Sequence, residues 1–64
     1  MTLSEAYQTY GRTPAVRLKI PYNKQLGYIR NIRKMDSIAY GVTFDSDKGY
    51  EVIVRADEPV VLEG

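Results

Sequence analysis

The chain has no cysteine, no histidine and no tryptophan, and only one phenylalanine. Each absence removes a class of chemistry. Without Cys there is no thiolate nucleophile and no disulfide framework. Without His there is no imidazole base, and without either residue there is no zinc site of the usual kind. No aliphatic run exceeds three residues, so no segment reads as a membrane span and no membrane insertion is expected. Met1-Thr2-Leu3-Ser4-Glu5 lacks the basic region and apolar run of a secretory signal. A cytoplasmic location is the expectation.

What is present is a 64-residue chain with 27% charged and 44% hydrophobic residues, a balance that suits a folded domain. A domain of this length holds only ~3–5 kcal/mol of net stability unless something staples it. An efficient small barrel, or a partner that buries further apolar surface, would supply the rest.

The segment Thr2–Gly11 reads as a short helix. Thr2 or Ser4 can serve as N-cap, and Thr2-Leu3-Ser4-Glu5 has capping-box spacing. Gly11 supplies a stop and Pro14 forbids continuation. Leu3, Ala6, Tyr7 and Tyr10 recur at helical spacing, so one face can dock.

From residue 15 onward the period changes to two. Val16, Leu18 and Ile20 alternate with Arg17 and Lys19. Pro21 ends that strand, and a polar connection over Tyr22–Leu26 closes at Gly27. In the second strand, Tyr28–Lys34, Ile29 and Ile32 are three apart, so a bulge near Asn31 is needed to bring both inward. In the third, Ile38, Tyr40, Val42 and Phe44 share one face, opposite Ala39, Gly41 and Thr43. Gly41 marks either a bend or a close backbone approach. Asp45–Gly49 reads as a hairpin loop, with Gly49 where a positive φ is wanted. The fourth strand is Tyr50–Arg55, followed by a single 3₁₀ turn at Ala56–Pro59 and a last strand at Val60–Leu62.

Val16-Arg17, then Gly27, Ile29 and Ile32, with Tyr40–Asp45 as the next strand, resembles the KOW-type modules of the SH3-like barrels. The resemblance covers about thirty of the 64 residues. It implies a mainly β chain: a helix and linker over 1–14, then a five-stranded SH3-like small barrel over 15–64. It also implies a fold used for binding and seldom for catalysis.

The formal charge of +1 conceals a division. Residues 1–34 carry seven basic groups against Glu5, a net of +6, and residues 35–64 carry Lys48 and Arg55 against seven carboxylates, a net of −5. With strands one and two as neighbours, Arg17, Lys19, Arg30 and Arg33 share a face with Tyr22 and Tyr28 among them. Such a patch binds an acidic protein surface or stacks and neutralises nucleic acid. Alternatively, the first strand lies beside an acidic strand such as Glu51–Arg55 and the charges cancel across the sheet.

Other constellations are poorer. Asp45-Ser46-Asp47-Lys48-Gly49 opens like a calcium loop, but Ala56 and Asp57 fall where the closing Glu belongs, so it reads as a turn and no metal or cofactor is expected. Asp57-Glu58 is turn chemistry before Pro59 rather than an acid–base pair, and no catalytic residue is assigned. Tyr40 and Tyr50 read as core or rim residues. The expected function is a non-catalytic accessory or regulatory subunit, docking on a larger protein or complex with an acidic surface. Its interface residues are Arg17, Lys19, Tyr22, Tyr28 and Arg30, with Tyr7 and Tyr10 as a second patch. A nucleic-acid-binding module using the same patch is the alternative, and the Val60–Leu62 edge offers a route to homo-oligomers.

Overall fold

A computed structural model of the chain describes residues 1–22 and 27–63. The order of elements is α1 (Leu3–Tyr10), β1 (Arg17–Lys19), β2 (Ile29–Lys34), β3 (Ala39–Phe44), β4 (Asp47–Arg55) and β5 (Val61–Glu63). The expected connection at 23–26 lies outside the described residues, as does Gly64.

Thr2, not Ser4, caps α1. The Glu5 amide donates to Thr2 Oγ1 at 3.2 Å, and the Thr2 amide donates to Glu5 Oε1 at 2.7 Å, completing the capping box. Two more amides of the first turn find carbonyls elsewhere: Leu3 N–H donates to Glu58 and Ser4 N–H to Ala56, both at 2.9 Å. The helix thus docks on its own domain. Leu3 and Ala6 are fully buried, and Tyr7 meets Tyr40 edge-on at 5.4 Å between ring centroids. Gly11 ends the helix at φ +81°, ψ −164°, a region open in practice to glycine alone, while its N–H donates to Tyr7 O.

The strands form two sheets, β1 with β5 and the meander β2-β3-β4. Among the described residues the chain is mainly β with one short helix, and no closed barrel is found. Neither β1 and β2 nor β4 and β5 are joined by a ladder; β1 meets the residue before β2 only through an isolated bridge between Lys19 and Tyr28. The first strand also has a different partner from the acidic strand expected over Glu51–Arg55: it pairs with β5, Leu18 opposite Leu62. β5 begins at Val61, one residue later than expected. Val60 is buried, and its N–H and C=O are both engaged by Met1.

Side chains from both sheets and the helix make one buried cluster, including Leu18, Ile32, Tyr40, Val42 and Phe44. In β2 the register slips between Ile29 and Asn31, so Arg30 is the extra residue and Ile29 and Ile32 both face the core. Ile38 does not share the inward face of β3. It is 72% exposed, because Asp36 Oδ1 accepts from the amides of Ile38 and Ala39 and holds the chain in a bend before the strand begins. Tyr50 is likewise outward, at 62% exposure. Phe44 pairs with Asp47 while Thr43 pairs with Glu51, so Lys48, Gly49 and Tyr50 are carried out of register. The hairpin turn is therefore only Asp45–Ser46. Gly49 does not take a positive φ; among the described residues that role belongs to Gly11 and Gly27.

Candidate binding groove

Leu18 faces the core, so Arg17 and Lys19 on either side of it face outward. Tyr28, bridged to Lys19 at the mouth of β2, lays its ring beside both. The Arg17 guanidinium carbon is 5.2 Å from the ring centroid and Lys19 Nζ is 5.4 Å from it. Glu63 completes the group from β5. Its Oε1 accepts the Tyr28 hydroxyl at 2.6 Å and its Oε2 stands 3.8 Å from Lys19 Nζ. The Tyr28 hydrogen bond, then the charges of Lys19 and Arg17, holds the Glu63 carboxyl below its ordinary pKa.

Where the approach to β1 diverges from β2, an open groove of about 610 Å³ results. One wall is the segment from Thr13 to Arg17 and the other runs from Tyr28 to Asn31. Two links hold the walls apart at fixed distance: the Ile32 amide donates to Arg12 O at 2.8 Å, and the Lys19–Tyr28 bridge ties the other end. Pro14, Ala15 and Val16 contribute apolar surface, while Arg17 and Arg30 contribute positive charge. Arg30, displaced by the bulge, lies 3.9 Å from Asp45.

Four residues singled out from the sequence therefore meet here: Arg17, Tyr28 and Arg30 line the groove, with Lys19 on the same tyrosine ring. Tyr22 is 79% exposed and does not line it. Tyr7 and Tyr10 are half-buried and pack against the core. Arg33 lies on β2 beyond the groove and pairs with Glu51. Three of the seven basic groups of the first half thus pair with carboxylates of the second, as Lys19–Glu63, Arg30–Asp45 and Arg33–Glu51. Arg17 is the exception in the groove: it lies opposite Glu63 in the ladder and acts on it through its charge, but it makes no salt bridge among the described residues.

Sequence reasoning missed Glu63 and Asp45 as members of this site. Both are far from Arg17 and Arg30 along the chain, and only the pairing of the last strand with the first, and of β2 with β3, brings them close. The described residues contain no cluster of metal-ligating side chains. Among the described residues no helix is long and apolar enough to cross a membrane. No family model, curated protein or solved structure matches the chain.

Proposed function

We propose that this chain is a small non-catalytic binding module that docks on a larger protein or complex as an accessory or regulatory subunit. On this reading its two sheets are an SH3-like barrel that has not closed, and the groove where the approach to β1 diverges from β2 receives the partner. One observation carries the reading. The groove combines apolar surface, a tyrosine ring and, at Arg17, a guanidinium that faces Glu63 across the ladder but makes no salt bridge among the described residues. That combination suits an extended acidic segment with apolar residues between its carboxylates, because Arg recognises carboxylates through paired donors.

The test is fluorescence anisotropy with a labelled twelve-residue peptide of repeating Glu-Pro-Leu. Arg17→Ala should weaken binding about five- to tenfold with an unchanged melting temperature, as expected for loss of one charge-assisted contact. Tyr22→Ala, which removes an exposed ring outside the groove, should bind like the wild type. Equal binding by the wild type and Arg17→Ala would overturn the reading.

The clustering of two cations on one aromatic ring favours nucleic acid as a second reading. Glu63 beside Lys19 and Asp45 beside Arg30 oppose it by repelling phosphates. A labelled oligothymidine binding more tightly than the peptide, with log K falling by roughly 3–4 per tenfold rise in salt, would select it.

A further inference from the structure

We infer that Glu63 is a built-in competitor for the docking groove: its carboxylate occupies Tyr28 and Lys19 in the free chain and yields them when an acidic segment binds. The inference rests on the reading of the groove as a docking site.

Three features support it. Both oxygens of Glu63 are engaged at the edge of the groove, one by the hydroxyl of Tyr28, which lines it, at 2.6 Å and the other by Lys19, which stands on the same ring, at 3.8 Å. A carboxylate on that hydroxyl and ammonium is the contact an acidic partner would make, so the chain displays the chemistry of its own ligand. The Glu63 side chain is also 44% exposed, so it swings into water without opening the core. Leu18, on the opposing strand, stays fully buried beneath. Exchange of one carboxylate for another leaves the charge at Tyr28 and Lys19 unchanged. A phosphate backbone would instead carry a series of charges past both Glu63 and Asp45.

A ligand that must displace an internal group binds with an affinity reduced by the fraction of time the site is open. Removing the competitor should restore that loss. The measurement is again anisotropy with the Glu-Pro-Leu peptide, comparing the wild type with Glu63→Gln and Glu58→Gln. The second variant removes the same charge from the turn after β4, where Glu58 contacts α1 through its backbone. Glu63→Gln should bind about two- to fivefold more tightly, the range of an exposed ion pair expressed as an affinity ratio, and Glu58→Gln should not. In the wild type, the Glu63 carboxyl should titrate closer to the ordinary glutamate value with peptide bound than without it.

The outcomes separate cleanly. Tightening in both variants would reduce the effect to net charge and overturn the inference. Unchanged or weaker binding by Glu63→Gln, with Arg17→Ala still impaired, would overturn the competitor while leaving the groove intact; a lower melting temperature would then make Glu63 a brace between β2 and β5. Peptide binding indifferent to Arg17→Ala, or absent altogether, would overturn the groove and the competitor together.

Discussion

Arg33 on β2 and Glu51 on β4 meet across the strand that separates them. The guanidinium Nε and Nη2 donate to the two carboxylate oxygens at 2.9 and 2.7 Å, a forked pair lying over Gly41 of β3. A Cβ at Gly41 would stand 2.9 Å from Glu51 Cγ and closer still to its carboxyl carbon and Oε2. The glycine leaves room for a side chain to cross the strand, not for another backbone to approach.

Gly41→Ala should therefore push the Glu51 carboxylate aside and break the fork. Glu51 now titrates below its ordinary value because of the hydrogen bonds from Arg33. In the variant its carboxyl midpoint, followed by NMR, should rise toward that of a free glutamate. An unchanged midpoint would show that the pair forms without the gap.

Acid should weaken the fold through three carboxylates. Glu5, Glu51 and Glu63 are all held below 4.5, by the Thr2 amide, the Arg33 guanidinium and the Tyr28 hydroxyl respectively. A depressed folded-state value means the unfolded chain binds protons first. These groups thus stabilise the fold fully above about pH 5.5 and lose that contribution as pH falls through 4.5 and below. Melting temperature against pH should be flat near neutrality and decline in that window, with a shallower decline for Glu51→Gln.

The helix termini offer a paired test. Thr2→Ala should cost about 0.5–2 kcal/mol in urea denaturation by removing the cap, while Ser4→Ala should cost far less. Gly11→Ala should cost about 1–3 kcal/mol although nothing lies within 4 Å of the added methyl, because the backbone conformation alone excludes it.

Core truncation should be severe. Leu18 is fully buried on a three-residue strand, and Leu18→Ala removes about 2–5 kcal/mol. That matches the whole stability of a domain this size, ~3–5 kcal/mol, so cooperative unfolding should disappear from the calorimetric trace. Ile32→Val, at about 0.5–1.5 kcal/mol, should leave a folded protein with a lower midpoint.

Where local chemistry decides conformation, the sequence was readable. The capping box at Thr2 and Glu5 follows from side-chain reach, and the slip in β2 follows from two isoleucines that cannot otherwise face the same way. Ile38 and Tyr50 defeated the same reasoning. Alternation assigns a face only within a regular ladder, and an Asp36-braced bend precedes one residue while a register shift displaces the other. The partner of β1 was also hidden, because a strand as short as Arg17–Lys19 carries no mark of which distant segment lies beside it. Arg17, Lys19, Tyr28 and Arg30 were legible as a basic and aromatic group. Their carboxylate neighbours were not, since those arrive through long-range pairing.

The surplus residue in β2 has a double role. By absorbing one position, Arg30 turns Ile32 back beneath the sheet, and the same kink sets Arg30 itself on the groove wall. Shortening the strand by that residue would restore a regular zigzag, expel an isoleucine into water and straighten the wall at once. A substitution that reshapes the groove at this position therefore also bears on whether the polypeptide folds, and neither property can drift independently of the other.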